Sequence, residues 1–291
     1  MKILLTGGTG FLGKNFISKN YNNKRYQIFS IQRKKSNNNK NTNYISCDLN
    51  NKKKLISVIN DINPSFIIHF SWQGIPNFNK SNCKKNFKMS KNLIDAAFQS
   101  KSCKKIIIAG TCKEYEGIYG YGKESMKINP HSNFAKTKKK ILQYLKVKAN
   151  NNQKIDWYWI RIFYIYGLHQ RAKSLIPYCI KKIKNKKNIE LDNFNQANDY
   201  INIKFLIKTI NHIAIYKIKR GVYNLGSGEV KTNLKIENIC LKIFRKKELK
   251  EKLHTKLPYI RACMKKFYKN FGWKPKENIL KGIKEIKSFN G

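Results

Sequence analysis

The chain has 291 residues, of which 41% are hydrophobic, so it is long and apolar enough to bury a core and is not intrinsically disordered. Its 61 lysines and arginines stand against 16 acidic residues, a formal net charge of +45. This length allows one large α/β domain, or a cofactor domain with a smaller lobe.

The positive charge has two interpretations. A strongly basic protein can bind nucleic acid or an anionic membrane. However, only seven of the 61 basic residues are arginine, and lysines run from Lys2 to Lys287 beside asparagine-rich stretches. Because arginine is the usual bidentate reader of phosphates and bases, the pattern favours a general compositional bias. We expect weak, salt-dependent binding of polyanions and no specific nucleic-acid partner.

The seven cysteines are an odd number and form neither a CxxC pair nor a Cys/His cluster with zinc spacing. This pattern indicates reduced thiols and no metal site. The first apolar stretch ends at Gly7 and does not have the form of a signal peptide. No apolar run approaches the roughly 18 residues of a membrane span. We therefore expect a cytoplasmic protein without a membrane span.

Residues 2–13 read KILLTGGTGFLG, which is a short apolar run, a glycine turn and the start of a helical pattern. The turn and helix start contain Gly7, Gly10, Phe11, Leu12 and Gly13. Glycines let a backbone approach a pyrophosphate, and a helix N-terminus offers it free N–H groups. The motif predicts a dinucleotide site; the alternative is a tight turn that serves packing only.

The next apolar run, residues 26–31, predicts a second strand. An NAD site usually has an acidic residue at the end of this strand, whereas an NADP site accommodates the 2′-phosphate with arginine. This chain has Gln32, Arg33 and Lys34 there. We predict NADP as the cofactor, with NAD as the alternative, unless Arg33 is ordinary surface charge. The polar stretch 34–42 is then a loop.

Strand-like and helix-like segments alternate along the following chain. The predicted strands cover residues 43–46, 66–70, 105–109 and 157–163. The predicted helices cover residues 53–62, 84–99 and 137–149. This alternation predicts a parallel sheet with helices on both faces, as in a doubly wound α/β fold.

Several short segments carry a resemblance to one family. They are TGGTGFLG (6–13), Asp48-Leu49, HFSWQGIPN (69–77), IIIAGTCKEY (106–115), WIRIFYIYG (159–167), SLIP (174–177), NDYINI (198–203), GVYNLGSG (221–228) and FGWKP (271–275). With them the chain resembles the extended short-chain dehydrogenase/reductase family of NAD(P)-dependent nucleotide-sugar epimerases, dehydratases and reductases. The likeness weakens after about residue 230. Some phrases are similar to a branch that makes deoxysugars for surface polysaccharides.

The resemblance implies a Rossmann domain over residues 1–165 and a smaller C-terminal α/β substrate lobe over residues 166–291, part of which returns to the sheet. It implies a nucleotide-sugar substrate and a homodimer. The implied cofactor contacts are Gly7, Gly10, Phe11, Leu12, Gly13, Arg33, Asp48, Leu49, Phe70, Ser71, Trp72, Lys138 and Phe163. The implied substrate contacts are Thr111, Tyr164, Ser174, Leu175, Asn198 and Arg261.

In this family a tyrosine hydroxyl moves the proton, a lysine four residues later lowers its pKa and holds the nicotinamide ribose, and a Ser/Thr hydroxyl bonds the reacting oxygen. Residues 130–138 read PHSNFAKTK, so Phe134 takes the tyrosine position and Lys138 the lysine position, while Thr111 supplies the hydroxyl. A phenylalanine cannot move a proton, and loss of a general acid costs roughly 10²–10⁴ in rate.

Three interpretations of Phe134 stay open. Another acid can replace the tyrosine, either a bound water or a nearby side chain. The nearby candidates are Cys112, Tyr115, Tyr119 and Tyr121. Alternatively, the protein binds cofactor or nucleotide sugar but does little chemistry, or the change is a substitution in an otherwise active enzyme.

Other positions depart from the family pattern. Cys112 and Lys113 replace the Asp-Glu pair of the dehydratases, so reduction or epimerisation is expected instead of dehydration. Asn198 stands where the family has an arginine, and Tyr164 where it often has an asparagine. His69 is expected to pack at a strand end.

Overall fold

The computed structural model describes residues 1–33, 41–245 and 259–289. The strands are β1 (Lys2–Thr6), β2 (Gln27–Gln32), β3 (Thr42–Ser46), β4 (Phe66–His69), β5 (Lys105–Thr111), β6 (Gly120–Gly122), β7 (Asp156–Ile162), β8 (Tyr164–Tyr166), β9 (Ala197–Asn198), β10 (Tyr200–Asn202), β11 (Gly221–Leu225), β12 (Lys231–Thr232) and β13 (Ile260–Ala262). The helices are α1 (Phe11–Lys19), α2 (Lys52–Ile62), α3 (Lys80–Gln99), α4 (Asn133–Asn151), α5 (Leu175–Lys184), α6 (Ile203–Ile215), α7 (Asn233–Arg245), α8 (Lys265–Phe271) and α9 (Ile279–Phe289). A short 3-10 helix covers Cys112–Tyr115.

Within the described residues, seven strands form one sheet in the order β11-β7-β5-β4-β1-β2-β3. Strand β1 pairs in parallel with both β2 and β4, and the pairs β2–β3 and β4–β5 are also parallel. The chain moves outward from β1 to β3 on one side and then returns to build the other side from β4. The predicted Rossmann-like doubly wound fold is confirmed. In such sheets ligands bind beside the carboxyl ends of the strands where the order reverses, here between β1 and β4.

The central strands are continuous apolar runs because both faces of the sheet are covered. All four residues of β4 are buried, as are the last four of β1. The covering helices are amphipathic instead: Leu55, Ile59 and Ile62 form the buried stripe of α2. The sequence predicted these elements because continuous apolar strands and amphipathic helices have different hydrophobic patterns.

Two helices begin four residues before their predicted starts. Helix α3 starts at Lys80 because the side chain of Asn79 accepts a hydrogen bond from the backbone N–H of Asn82 at 2.8 Å. Helix α4 starts at Asn133, with Ser132 accepting from the N–H of Ala135 at 3.3 Å. Both starts are set by polar capping residues, which hydrophobic periodicity does not reveal. Phe134 therefore lies in the first turn of a helix.

The described chain forms two compact units. The first contains residues 1–33, 41–117, 127–161 and 209–223, and the second contains residues 118–126, 162–208, 224–245 and 259–289. The second unit has three two-stranded pairings, β8 with β10, β9 with β12 and β6 with β13, and a core built mainly from α5, α7 and α9. The predicted assignment of cofactor and substrate binding to the two parts of the chain stays a prediction.

All seven cysteines are buried and none forms a disulfide. Among the described residues there is no group of three or more side chains placed to hold a metal ion. In the same ranges, no helix combines the length and apolarity needed to cross a membrane. Most of the predicted loop 34–42 lies outside the described residues, and Thr42 belongs to β3.

Candidate active site

The glycine turn lies at the carboxyl end of β1. Gly7 has a φ of +79°, and a Cβ there would lie 2.8 Å from the backbone nitrogen of Ser71. A Cβ on Gly13 would lie 2.2 Å from the carbonyl oxygen of Gly7. Gly10 caps α1 without a side-chain hydrogen bond, so no cap covers the first-turn N–H groups. A tight turn, a close approach and an open helix N-terminus fit a pyrophosphate.

The end of β4 packs directly against this turn. The N–H of Phe70 donates to the carbonyl of Thr6 at 3.1 Å, and the N–H of Ser71 donates to the Thr6 hydroxyl at 3.4 Å. His69 lies underneath, where its two ring nitrogens share hydrogen bonds with Thr6 at 2.7 Å and with Ser90 at 2.9 Å. Burial lowers the pKa of His69 to about 3, with the charge of Lys138 adding to the effect. His69 is therefore a neutral bridge beneath the turn.

The ends of β2 and β3 meet at the same edge of the sheet. Arg33 is exposed just after β2, and its carbonyl accepts from the Ser46 hydroxyl at 3.1 Å. Asp48 is exposed after β3, while the carbonyl of the buried Leu49 accepts from the Asn92 side chain at 2.9 Å. Lys34 lies outside the described residues. The structure thus brings Arg33, Asp48 and Leu49 to the edge that carries the glycine turn.

Trp72 stands on a loop that is held by Asn86. The Asn86 side chain accepts from the N–H of Gln73 at 2.7 Å and donates to its carbonyl at 2.9 Å. The indole nitrogen of Trp72 is buried and has no hydrogen-bond partner among the described residues. The loop therefore presents Trp72 in a fixed orientation with an unused donor.

Thr111 ends β5 and caps the following 3-10 helix, where its hydroxyl oxygen accepts from the N–H of Lys113 at 3.2 Å. Glu114 completes this capping box by accepting from the N–H of Thr111 at 2.9 Å. Glu114 is fully buried and also accepts from Trp159 at 2.9 Å and from Arg161 at 2.8 Å. Glu114 is thus the carboxylate that fixes the position of Thr111.

The role of Glu114 was not predicted from the sequence. Two signals could have found it. A Glu three residues after a Thr at a strand end matches a capping box, and Arg161 interrupts an apolar strand, where a buried cation needs an acidic partner.

Phe134 and Lys138 lie one turn apart on α4. The Phe134 ring packs against Trp72, with centroids 4.8 Å apart and planes at 87°, and against Phe78 at 4.5 Å. The Lys138 ammonium donates to the carbonyl of Ala109 at 2.6 Å and lies 4.5 Å from the centre of the Trp72 ring. Burial lowers the pKa of Lys138 to about 8, although the charge of Glu114 opposes this.

A second carboxylate fixes the start of α4. Glu116 accepts from the N–H of His131 at 2.8 Å and from both the N–H and the hydroxyl of Ser132, at 2.7 and 2.5 Å. It therefore anchors the turn that places Phe134. Nothing in the sequence pattern distinguished Glu116 from a surface residue.

Three of the predicted substrate contacts and Phe163 lie in the framework of the second unit. Phe163 is buried, and its N–H donates to the carbonyl of Leu225 at 3.0 Å. Tyr164 and Leu175 pack against the core of this unit. The buried Asn198 donates to the Tyr200 hydroxyl at 3.3 Å. Their neighbour Asp199 anchors the chain around them.

Asp199 is fully buried and accepts four hydrogen bonds in the second unit. Its donors are the N–H and hydroxyl of Ser227, both at 2.6 Å, the N–H of Gly228 at 3.0 Å and the N–H of Ala262 at 2.9 Å. Burial raises its pKa, and these hydrogen bonds oppose the rise. The carboxylate joins the segment of Asn198 to that of Arg261.

Arg261 and Ser174 retain unused polar atoms. The Arg261 guanidinium stacks 3.8 Å from the centre of the Tyr121 ring, and its Nε is buried with no hydrogen-bond partner among the described residues. Ser174 precedes α5 without a side-chain capping bond. Both are suited to an anionic ligand, because a stacked guanidinium still presents its N–H edge.

The second unit also contains a cavity of about 1140 Å³ that the sequence analysis did not anticipate. Its walls include Tyr121, Lys123, Lys265, Tyr268, Trp273, Lys274 and Lys276. None of the predicted substrate contacts lines it. Because these residues lie far apart in the chain, no local motif reveals the cavity.

The sheet order and the glycine turn at its switch point define a Rossmann-like α/β protein. More narrowly, the chain belongs to the NAD dependent epimerase/dehydratase family, whose family model matches residues 3–226. This confirms the predicted class of enzyme, the NAD-dependent oxidoreductases and epimerases. The roles of the individual site residues stay predictions.

Two relatives and one solved structure illustrate the family. The GDP-6-deoxy-D-talose 4-dehydrogenase of Aggregatibacter actinomycetemcomitans is 25% identical over 236 residues, covering 78% of this chain and 75% of the relative. The dTDP-4-dehydro-6-deoxyglucose reductase of Escherichia coli is 27% identical over 315 residues, covering 98% and 96%. A tyrosine-to-phenylalanine mutant of the Bacillus cereus UDP-glucuronic acid 4-epimerase, solved with UDP-4-deoxy-4-fluoro-glucuronic acid and NAD, superposes with a TM-score of 0.82 at 22% identity, covering 99% of this chain and 100% of that one.

Proposed function

We propose that this protein is a nicotinamide-dependent reductase or epimerase that transfers a hydride at a ring carbon of a nucleotide-linked deoxysugar. The observation that carries the proposal is the position of Thr111 and the buried Lys138. Thr111 ends β5, Lys138 bonds the carbonyl of Ala109 in the same strand, and the glycine turn lies at the same edge of the parallel sheet. A nucleotide-binding turn and groups able to bond a reacting oxygen therefore share one edge.

The cofactor would be held by the glycine turn, with the first turn of α1 at the pyrophosphate. It would supply or accept the hydride. Phe70 and Ser71 pack against the turn, and Asp48 and Leu49 lie at the end of β3, where the adenosine half is expected. Lys138 would hold the nicotinamide ribose beside Trp72.

We propose NADP as the preferred cofactor because Arg33 is exposed at the end of β2, and residues 32–34 of the sequence contain no acidic residue. Titration of nicotinamide fluorescence with NADPH and NADH tests this. Arg33→Ala is expected to weaken NADPH binding about tenfold and to leave NADH unchanged. Arg25→Ala is the matched control, because Arg25 is also exposed but precedes β2, at the opposite edge. Equal loss for both cofactors would contradict NADP preference.

The substrate proposal rests on the relatives and on the second unit. Both named relatives act, by their names, on position 4 of a nucleotide-linked 6-deoxysugar, which supports the same substrate class here. Arg261, whose Nε has no hydrogen-bond partner among the described residues, would bind the diphosphate together with Ser174 and Asn198. Reduction or epimerisation is preferred to dehydration, because the acid pair of the dehydratases is replaced by Cys112 and Lys113.

The direct test is an assay with a nucleotide-linked 4-keto-6-deoxysugar and NADPH. We expect NADPH absorbance to fall and the sugar to be reduced, or its configuration to change. If cofactor binds but neither the nicotinamide nor any nucleotide sugar offered is altered, even in Phe134→Tyr, the catalytic part of the proposal is wrong.

A second function is favoured by one observation. The Phe134 ring packs against Trp72 and Phe78, so the position that carries a tyrosine in the family is an apolar contact in this chain. This supports a catalytically weak homologue that binds cofactor or nucleotide sugar. A Phe-bearing mutant in the same fold holds both kinds of ligand. Saturable NADPH binding without any turnover, and without rescue by Phe134→Tyr, would favour this candidate.

We also propose a cytoplasmic homodimer that acts in surface polysaccharide synthesis. Free buried cysteines fit a reducing compartment, and the deoxysugar relatives fit the pathway. Sedimentation velocity of the purified chain tests the dimer, and a single species of about 34 kDa would contradict it.

A further inference from the structure

Within the first compact unit, the structure narrows the choice of proton donor beside Phe134. Tyr115 is buried, and its hydroxyl already accepts from the Arg161 guanidinium at 2.8 Å. Cys112 is buried as well. Tyr119 and Tyr121 belong to the other compact unit. Lys138 is thus the ionisable side chain that the first unit places beside Phe134.

The surroundings of Lys138 leave its ammonium with unused donors. An ammonium has three N–H groups, and in the described part of the chain only the carbonyl of Ala109 accepts one, at 2.6 Å. Its other neighbours are ring faces: the ring centres of Trp72, Phe134 and Trp159 lie at 4.5, 5.9 and 6.0 Å. These rings attract the cation but take no proton from it. N–H groups therefore remain for a ligand oxygen.

We propose that Lys138 itself donates the proton to the reacting sugar oxygen, in place of the missing tyrosine hydroxyl. This inference rests on the proposed function. In the reducing direction, a bound nicotinamide cofactor would supply the hydride for the new C–H bond at the carbonyl carbon and would be left oxidised. One N–H bond of Lys138 breaks as the O–H bond of the reduced ketone forms. The neutral amine regains its proton from water after product release.

The charged groups around Lys138 suit such a donor. Glu114 faces it from the 3-10 helix, but this carboxylate is already bound by Arg161 of β7. His69 of β4 is neutral, since its pKa is about 3. Burial therefore dominates and lowers the pKa of Lys138 to about 8. A general acid works best when its pKa lies near the operating pH.

The first experiment is the pH dependence of kcat for NADPH oxidation by a nucleotide-linked 4-keto-6-deoxysugar. Wild type should lose activity as the pH rises through about 8, because the ammonium deprotonates. Lys138→Arg keeps the positive charge, but a guanidinium does not release a proton in this range. We expect its kcat to fall roughly 10²–10⁴-fold and the limb near pH 8 to vanish.

Rescue separates a proton donor from a structural lysine. Introducing Phe134→Tyr into Lys138→Arg restores a phenol at the family position, and we expect at least a tenfold recovery of kcat. Lys138→Met is the second variant in case arginine does not fit, since it removes a buried charge without adding bulk. The inference would be overturned if Lys138→Arg and Lys138→Met both kept the wild-type rate. It would also be overturned if Lys138→Arg kept the wild-type pH profile.

A readout without turnover uses lysine labelled with ¹³C at Cε. The signal absent from Lys138→Arg should titrate near pH 8, below the ordinary lysine value of about 10.4. A midpoint above about 10 would also overturn the inference. The two negative results can be distinguished. If neither wild type nor Phe134→Tyr turns over substrate, both the proposed function and this inference are wrong. If turnover occurs but does not change when Lys138 is replaced, only this inference is wrong.

Discussion

His69 shows how strongly burial can change the pKa of one side chain. Its ring is enclosed between Thr6 and Ser90, and burial lowers its pKa to about 3 from the ordinary 6.5. The unfolded chain therefore binds a proton below pH 6.5 that the folded chain refuses. Stability attributable to this group is present above pH 6.5 and is lost as the pH falls toward 3.

We predict that acidification lowers the unfolding free energy of wild type by ~1.4 kcal/mol per pH unit through this residue alone. Between pH 6.5 and about pH 5 the loss is about 2 kcal/mol. His69→Gln should lose stability at neutral pH but lack this part of the slope. Urea unfolding of both proteins across this range measures the difference. Parallel curves for the two proteins would show that His69 is protonated in the folded state.

Among the secondary-structure elements, the junction of β1 and α1 depends on the smallness of Gly13. A Cβ there would lie 2.2 Å from the Gly7 carbonyl oxygen and 2.5 Å from the Gly8 Cα, both backbone atoms that cannot give way. At Gly10 the nearest atom would be 3.3 Å away. Gly13→Ala should therefore cost about 1–3 kcal/mol and at least tenfold in NADPH affinity.

Gly10→Ala is the matched comparison for that variant. It should change the unfolding free energy by less than about 1 kcal/mol, because only the N-cap position is affected. Thermal unfolding and NADPH titration measure both quantities. Equal stability of the two variants would mean that α1 can shift away from the turn.

A second element-level contact is the ion pair that joins the 3-10 helix after β5 to β7. Glu114 and Arg161 are both buried, and their side chains meet at 2.8 Å. We predict that Glu114→Gln destabilises the protein by about 3–5 kcal/mol, since it leaves the buried Arg161 cation unpaired. Glu229→Gln is the control, because that side chain is 71% exposed and its ion pair with Lys231 should contribute within about 0.5 kcal/mol. Denaturant unfolding of both variants measures the two losses of stability. Similar losses would show that the buried ion pair of Glu114 contributes no more than the exposed one of Glu229.

The whole molecule is dominated by its charge. A net charge of +45 implies self-repulsion that salt screens, so we expect the thermal midpoint to rise from low salt to about 0.3 M. We also expect duplex DNA to bind weakly and to dissociate over the same range. Filter binding of two unrelated duplexes in a salt series measures this. Tight, sequence-selective binding at physiological salt would instead make nucleic acid a specific partner.

The local patterns of the chain determined its fold and its class of enzyme. Short apolar runs followed by turn residues indicate buried strands. The glycines at positions 7, 10 and 13 indicate a turn without knowledge of their surroundings, because turn geometry is a local property. The sequence also shows that Phe134 stands at the tyrosine position, because the absence of a hydroxyl there follows from the residue type alone. The starts of α3 and α4 were misplaced because polar capping turns carry no hydrophobic period.

Only the tertiary structure decided what surrounds these residues. It placed Glu114 against Arg161 and Trp159, and it enclosed Lys138 between Ala109 and Trp72. The partners lie 45, 47 and 29 residues apart for the three hydrogen bonds, so no local pattern relates them. The low pKa of Lys138 follows from burial, and burial belongs to the packed molecule. For this reason the sequence could show that the tyrosine is missing, but only the fold indicated which group can do its work.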